Sequence, residues 1–280
     1  MATCIYCGAP AGLLKKKHKT CEEMYAKAQT DIGELTKETI LAGANFPEAQ
    51  KKIDLLTHEG HLDEVTALGS VVKGWEAAVD AYLEDGLLSK DEEAQLAKFQ
   101  ESSGLSQETL DINGVFTKVV KAAFLRDLTE SDEIPKKIKI SGTIPFNLQK
   151  GEELVWLFND VSYLEERTKR TYVGGSQGMS VRVVKGVYYR TSAFKGQPVD
   201  TQVTTHMDDG LLGVTQKHIY FSGPSKSFRV KYDKIVSFTP FDDGIGIVRD
   251  VASAKPQMFI TGDGWFTYNL IMNMAERSKV

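Results

Sequence analysis

The spacing of the apolar residues changes once along this 280-residue chain, near residue 135. Before that point they recur every three or four positions, as at Trp75 and Val79, which is the period of an amphipathic helix. After it they alternate with polar residues, as in Phe228-Arg229-Val230, which is the period of a half-buried β-strand. A helical part followed by a strand-rich part predicts an α+β protein.

Residues 26–130 are expected to form an acidic helical domain. Ser89 predicts the start of one helix, because Glu92 follows three residues later as its capping-box partner. The last apolar stripe of this part consists of Phe116, Val119, Val120, Phe124 and Leu125. Residues 22–135 carry 24 acidic and 10 basic side chains, a net charge of about −14, which solvated helix faces explain most simply.

Residues 136–280 are expected to form a β domain with a net charge of about +6. The polar stretch 130–135, ESDEIP, ends in proline and is the best linker in the sequence. Turn signals separate the strand-like runs at Gly174-Gly175, Lys195-Gly196, Asp209-Gly210, Gly223-Pro224, Asp243-Gly244 and Asp263-Gly264. Short strands joined by turns predict an antiparallel barrel or sandwich. A helical stripe from Trp265 to Ala275 predicts a closing helix.

Residues 1–25 are expected to form a zinc finger. Cys4, Cys7, His18 and Cys21 have the spacing C-x2-C-x10-H-x2-C and include all three cysteines, an odd count that suits metal binding better than disulfides. Zinc takes four tetrahedral ligands from thiolate and imidazole, and four protein ligands leave no open position, so the metal should be structural. Gly8 can supply the positive φ of a tight turn. The spacing is similar to small treble-clef or ribbon-like fingers at the start of bacterial proteins.

Four lysines within this segment are candidate phosphate contacts: Lys15, Lys16, Lys17 and Lys19. They give residues 1–21 a net charge of +4. The alternative is a solvated basic loop. We favour the loop, because phosphate contacts position a nucleic acid without reading its sequence.

Two short motifs partly match the sequence patterns of catalytic sites. Residues 174–178 match G-x-S-x-G, but a strand-like run follows where a nucleophile elbow needs a helix. His58 and His61 are three residues apart, whereas the metalloprotease motif needs a spacing of four on one helix face. His206 and His218 have no visible partner and are interpreted as core or edge residues. No catalytic site is predicted.

The strand-rich part resembles a GRAM or pleckstrin-homology-like domain over about residues 150–280. The resemblance rests on the runs Gly213-Val214-Thr215, His218–Phe221, Lys226–Val230 and Tyr232–Ile235. It implies a small, strongly bent antiparallel barrel closed at one end by a C-terminal helix. Lipid-binding members carry paired basic residues in the first hairpin, and Arg167, Lys169 and Arg170 would take that place here. Residues 85–96, DGLLSKDEEAQL, resemble the helix–loop–helix turns of TerB-like helical domains, which implies an αα-hairpin.

The expected function is that of a non-enzymatic bacterial adaptor or scaffold, which binds a protein partner or an acidic membrane surface through its β domain. The alternative is a nucleic-acid-binding protein that uses the zinc finger and its lysines, and an enzyme with a dispersed active site is a third class. No apolar run approaches the roughly 18–20 residues that span a bilayer. No signal peptide is visible before Cys7, so we expect a cytoplasmic protein, free or peripheral to a membrane. The oligomeric state stays open.

Overall fold

The computed structural model describes all residues except 1, 13–14, 132, 136–143, 174–180, 185–186, 190–196 and 280, and it describes the backbone alone for residues 168–173, 181–184, 187–189 and 197–201. The chain divides into two compact units, Met1–Glu130 and Ser131–Val280. The first is mainly helical and the second mainly strand, so the mixed α+β class is confirmed. None of the helices in the described ranges combines the length and the apolar character needed to cross a bilayer.

The first unit begins with two short paired strands and continues with helices. Its elements are β1 (Ala2–Thr3), β2 (Pro10–Gly12), α1 (Lys19–Leu41), α2 (Phe46–Glu59), α3 (Glu64–Tyr82), α4 (Lys90–Ser103), α5 (Gln107–Leu110) and α6 (Val115–Glu130). The boundary with the second unit lies inside the polar stretch 130–135. A separate domain boundary at residue 25 stays a prediction.

The apolar stripe of α3 faces the core of the first unit. Trp75 is 1% exposed and Val79 is fully buried, and the Phe116 ring of α6 stacks on Trp75 with ring centroids 6.2 Å apart. The stripe predicted for α6 is correct at Val119, which is buried, but wrong at Val120, which is 38% exposed. Neighbouring positions are about 100° apart around a helix, so Val120 can lie outside the buried face to which Val119 belongs.

Ser89 begins α4 as the sequence predicts. Its hydroxyl accepts the backbone N–H of Glu92 at 3.2 Å, and the Glu92 carboxylate accepts the backbone N–H of Ser89 at 2.8 Å. Both halves of the capping box are therefore present. Gly104 ends the helix in the left-handed conformation, with φ of 69°.

Helices α1 and α3 approach closely at a pair of glycines, Gly33 and Gly74. A Cβ atom on Gly74 would lie 2.3 Å from the carbonyl oxygen of Gly33 and 2.6 Å from the Cβ of Thr36. Thr36 is fully buried, and its hydroxyl donates to the Ile32 carbonyl at 2.8 Å. The crossing therefore has no room for a side chain at position 74.

We expect Gly74→Ala to destabilise the helical unit by about 2 kcal/mol, because the added methyl group forces the two helix backbones apart. Gly69→Ala on the same helix is the matched control, since no atom lies within 4 Å of its added Cβ. That control should gain up to about 1 kcal/mol from helix propensity. Urea unfolding followed by far-UV circular dichroism measures both, and equal stabilities for the two variants would contradict the close crossing.

A buried guanidinium links α4 and α6. The Arg126 side chain is 7% exposed, and its nitrogens donate to the Leu88 carbonyl at 3.2 Å, to Asp127 at 3.0 Å and to Glu93 at 2.5 Å. Burial by itself would lower the pKa of Arg126, but the hydrogen bonds to Asp127 and Glu93 outweigh it and raise the pKa. The charge is therefore kept, and it ties the start of α4 to the end of α6.

The second unit consists of strands and one long helix. Its elements are β3 (Leu154–Val173), β4 (Val181–Val184), β5 (Val187–Tyr189), β6 (Gln197–Thr215), β7 (His218–Ser222), β8 (Ser227–Lys231), a 3-10 helix (Tyr232–Lys234), β9 (Ile235–Phe241), β10 (Gly244–Arg249), β11 (Gln257–Ile260) and α7 (Gly264–Arg277). One antiparallel sheet has the order β8-β7-β6-β3-β11-β10-β9 and curls into a half-barrel, while β4 and β5 pair separately. Within the described residues no ladder joins β8 to β9, so these strands are the two edges.

The turn predicted at Asp209-Gly210 is wrong. Both residues lie inside β6, where Asp209 pairs with Ser162 and Gly210 with Val161 of β3. A Cβ atom on Gly210 would lie 2.2 Å from the carbonyl oxygen of Ser222. The glycine therefore permits a close approach of the β7 backbone and does not mark a turn.

Four other predicted turns fall into two groups. Gly223-Pro224 lies between β7 and β8, and Asp243-Gly244 lies at the junction of β9 and β10, so both predictions are confirmed. The pairs Gly174-Gly175 and Lys195-Gly196, and with them the serine motif 174–178, lie outside the described residues.

The closing helix is present as α7 and contacts β9 and β10. Asp263 caps it by accepting the backbone N–H of Phe266 at 3.0 Å. Trp265, the first residue of the predicted stripe, is 40% exposed, whereas Phe266 is fully buried and lies against Trp156 with ring centroids 4.4 Å apart. The buried face of this helix also contains Leu270, Ile271, Met274 and Ala275.

A buried carboxylate fixes the segment before β3 to the sheet. The Glu152 side chain has no exposed surface, and its oxygens accept from His218 Nδ1 at 2.8 Å, the Tyr220 hydroxyl at 2.7 Å, the Gln149 backbone N–H at 3.0 Å and the Thr215 hydroxyl. Burial by itself would raise the pKa of this carboxyl, but the hydrogen bonds outweigh it and lower the pKa to about 2. His218 is therefore a core histidine with an acidic partner.

Glu152→Gln should destabilise the second unit by about 2–3 kcal/mol, because an amide NH2 cannot accept the hydrogen bonds that one carboxylate oxygen accepts. Glu153→Gln, at an exposed neighbouring position, removes the same charge and should change stability by less than about 0.5 kcal/mol. The folded-state pKa of Glu152 lies below its usual value of 4.5, so its contribution is complete above that pH and is lost as the pH falls toward 2. Thermal melts across this range should show an acid-dependent loss in the wild type that Glu152→Gln lacks.

Candidate metal centre

Cys4 and Cys7 lie on a tight turn between β1 and β2. The backbone N–H of Gly8 donates to the Cys4 carbonyl at 2.9 Å, and the backbone N–H of Cys4 donates to the Ala9 carbonyl at 2.7 Å. Gly8 has φ of 71°, as its place after the CxxC predicts. The turn brings the two thiols to one side, which is the usual arrangement of a CxxC metal knuckle.

His18 and Cys21 come from the start of α1. His18 is the N-cap residue, with φ of −84° and ψ of 142°, and Cys21 is the third residue of the helix. The first turn of α1 therefore presents both side chains together, as the spacing predicts. A helix N-terminus carries a partial positive charge, and this favours thiolates placed against it.

The four candidate ligand atoms lie within 4.8 Å of one another. His18 Nδ1 lies 3.4 Å from Cys7 Sγ and 3.6 Å from Cys21 Sγ. A tetrahedral ion with bonds of about 2.0–2.3 Å separates its ligand atoms by about 3.5–3.8 Å, so the observed spacing fits a bound metal. Cys4 and Cys21 are buried, which shields the centre from water.

The histidine ring is oriented by its other nitrogen. His18 Nε2 lies 3.0 Å from the carbonyl oxygen of Pro10, which can only accept, so Nε2 carries the proton. Nδ1 is then left with the lone pair and faces the three sulfur atoms. Histidine ligands commonly hold a second hydrogen bond of this kind, and it fixes both the tautomer and the ring direction.

The thiols of the cluster differ in acidity. Burial by itself would raise the pKa of Cys4, but backbone N–H groups of Cys7, His18 and Tyr6 outweigh it and lower the pKa to about 6. The His18 amide, for example, donates to Cys4 Sγ at 3.4 Å. Burial raises the pKa of Cys21 to about 11, with a further contribution from the Cys7 sulfur. Amide donors thus prepare Cys4 as a thiolate, and a metal cation would favour thiolates at the other positions as well.

The lysines of the candidate phosphate patch are all exposed. Lys17 forms an ion pair with Glu22, and Lys19 lies 3.6 Å from Glu23. Lys15 and Lys16 have no ion pair in the described residues. Half of the predicted patch is therefore partly neutralised by the first turn of α1, a contact that the spacing of the lysines does not reveal.

The other predicted contacts and motifs lie away from this cluster in the sequence and do not form a second one. Arg167 is exposed and pairs with Glu165 at 3.2 Å, while the side chains of Lys169 and Arg170 fall in the range described by backbone alone. Helix α2 ends at Glu59, before His61, so His58 and His61 share no helix face. Among the described residues, the Cys3His cluster is the only group of three or more His, Cys, Asp or Glu side chains placed to hold a metal.

The sequence missed two parts of these sites. The carbonyl of Pro10, which orients His18, is a backbone group and has no sequence signal. Glu152, which binds His218, lies 66 residues away from it and becomes its neighbour only through the sheet. His206, also without a visible partner in the sequence, lies 2.9 Å from Asp209 on the surface.

Comparison with known proteins gives no match to a family, to a curated protein or to a solved structure. The interpretation of this chain therefore rests on its own residues. The resemblances to treble-clef fingers, TerB-like helical domains and GRAM or pleckstrin-homology-like domains stay predictions.

We expect the full-length protein to bind one Co²⁺ per chain with the intense absorption of a thiolate-bound tetrahedral ion, since four ligand atoms already surround one point. His18→Ala should weaken this binding at least about 100-fold, because it removes a ligand from the metal's own coordination sphere. His58→Ala is the matched control, an exposed histidine outside the cluster. Titration of both variants by absorption spectroscopy checks this, and equal affinities would exclude His18 as a ligand.

Proposed function

We propose that Cys4, Cys7, His18 and Cys21 hold a structural zinc ion. The observation that carries this is the closed set of three thiolates and one imidazole, all within 4.8 Å of one another. Soft thiolate ligands in a tetrahedral set select zinc over harder divalent ions. Four protein ligands leave no position for water or substrate, so the ion stabilises the fold and performs no chemistry.

We propose further that the protein acts as a non-enzymatic adaptor. Two compact units in one chain support this, since each can carry its own binding surface. The curled antiparallel sheet with a helix packed on β9 and β10 is the kind of scaffold expected of a GRAM or pleckstrin-homology-like binding module. The partner is then a protein or an acidic membrane surface contacted by the second unit.

Nucleic-acid binding through the finger is the weaker candidate. Two of its four lysines already pair with Glu22 and Glu23, which leaves Lys15 and Lys16 as the cations for phosphate. So few phosphate contacts supply little affinity at physiological salt, because each contributes through the release of a counterion.

Metal analysis of the purified full-length protein should find about one zinc ion per chain. Removal of zinc by a chelator should broaden or collapse the NMR signals of residues 2–21, while those of the β unit stay unchanged, because so short a segment has little core of its own. Protein that is purified without any chelator and still contains no zinc would contradict the zinc proposal.

The choice between adaptor and nucleic-acid-binding protein is tested by fluorescence anisotropy with labelled duplex DNA and single-stranded RNA. The adaptor proposal predicts only non-specific binding, with a Kd no tighter than about 10⁻⁶ M at physiological salt. Tight binding that falls log-linearly with salt, and is lost in the Lys15→Ala, Lys16→Ala double variant, would establish the alternative. An adaptor should instead retain a protein partner from cell extract as the salt concentration rises.

A further inference from the structure

A cavity of about 290 Å³ lies in the second unit, between β8 and the end of β10. Its volume is close to the lower limit of about 300 Å³ for small-molecule sites. The polar side chains that line it are His218, Arg229, Lys231, Lys234, Arg249 and Asp250. The lining therefore has four cationic side chains and one carboxylate. None of these residues was singled out from the sequence as a ligand contact.

The cationic side chains at the cavity outnumber the carboxylates near them. Lys231 pairs with Asp233 at 2.7 Å and is thereby partly neutralised. Arg229, Lys234 and Arg249 have no carboxylate within 4 Å in the described part of the chain. The Asp250 carboxylate is exposed and forms no ion pair there either. Four cations face the carboxylates of Asp233 and Asp250, which leaves an excess of two positive charges, and an anion bound in the cavity would offset that excess.

Arg249 gives a second and independent indication. Its Nε atom is buried and has no hydrogen-bond partner among the described residues. A buried N–H donor without an acceptor is unfavourable, and such groups in folded proteins call for a specific explanation. Trp75 Nε1 and Gln257 Oε1 are buried without a partner in the described residues as well, but of these three residues only Arg249 lines the cavity, where an anion would compensate its guanidinium charge without reaching the buried Nε itself.

The remaining polar group of the cavity is the imidazole of His218, which a buried carboxylate holds in place. His218 Nδ1 is bonded to the buried Glu152 at 2.8 Å, so Nε2 is the ring atom left for a ligand. Glu152 is itself fixed by three further donors, described above. The ring is therefore rigid, which reduces the entropy lost when a ligand binds.

We propose that this cavity binds a small anion through a phosphate group. Phosphate offers several acceptor oxygens in a compact tetrahedron, which suits two guanidinium groups and an ammonium group that line one cavity from β8, the 3-10 helix and β10. The proposal deepens the adaptor function, because it gives the second unit a ligand class, and it does not involve the zinc centre. Its failure would therefore leave the zinc content and any protein partner unaffected.

The phosphate could belong to a soluble molecule or to a lipid headgroup, and two binding assays on the zinc-loaded full-length protein separate these sources. Isothermal titration with inorganic pyrophosphate tests the soluble source. Sedimentation with phosphatidylcholine vesicles doped with phosphatidic acid tests the lipid. Vesicles doped instead with phosphatidylserine, whose phosphate is a diester, control for negative charge without a phosphomonoester. Binding in either assay that requires the cavity residues supports the proposal and identifies the source.

Arg249→Gln and Lys234→Gln should each weaken binding by roughly 10- to 100-fold, because each removes a charged hydrogen bond to the anion. Lys279→Gln, an exposed lysine outside the cavity lining, should change it by less than about twofold. Arg249→Lys keeps the positive charge but loses the planar guanidinium group, so its affinity for the anion should lie between those of the wild type and Arg249→Gln. Thermal melts confirm that the variants fold. Absence of binding in both assays, or binding that Arg249→Gln and Lys234→Gln leave intact, would overturn the proposal.

Discussion

Charged groups that leave water in this protein need compensating partners, and three such groups determine how its segments are joined. The Arg126 guanidinium, 7% exposed, ties α6 to the start of α4 through Glu93 and the Leu88 carbonyl. The Glu152 carboxylate, fully buried, ties the segment before β3 to β6 and β7. In the metal centre, the thiols take amide donors and an imidazole as partners and leave room for a cation. Each case removes a desolvation penalty that would otherwise amount to several kcal/mol.

The basic cavity of the second unit is the exception to this pattern. Arg249 is the last residue of β10, and its Nε atom has no acceptor in the described residues. Where the chain buries Glu152, it supplies four donors, so the fold is capable of satisfying a charge. The proposed anion would supply at this cavity, in reverse sign, the compensation that the chain itself supplies for Glu152.

Local features of this protein could be predicted from its sequence, and non-local ones could not. The Ser89–Glu92 capping box and the positive φ of Gly8 depend on a few neighbouring residues and were predicted correctly. Cys4 and Cys7 meet His18 and Cys21 within one short segment, so their clustering follows from spacing alone. Gly210 does not form the predicted turn, because its close neighbour, the Ser222 carbonyl, is set by strand register. The Glu152–His218 pair and the grouping of Arg229, Lys234 and Arg249 need that register too, and no periodicity encodes it.

The metal centre and the helical core have different sources of stability. The core of the finger consists of Cys4, Ala11 and Cys21, and the ring of Tyr6 lies tilted against that of Tyr25 of α1, with centroids 4.7 Å apart. This is too little apolar surface to order the segment before α1 by itself. Helix α1 continues beyond Cys21 into the main core, where Ile32 and Ile40 are buried. A bound ion would therefore order the finger, but the helices would not need it. Helix α1 contributes Cys21 to the metal site, whereas its later residues are fixed by the main core. Under the zinc proposal, the finger would be a rigid extension of the helical unit only while metal is bound, and any surface that it offered to a partner would depend on that ion.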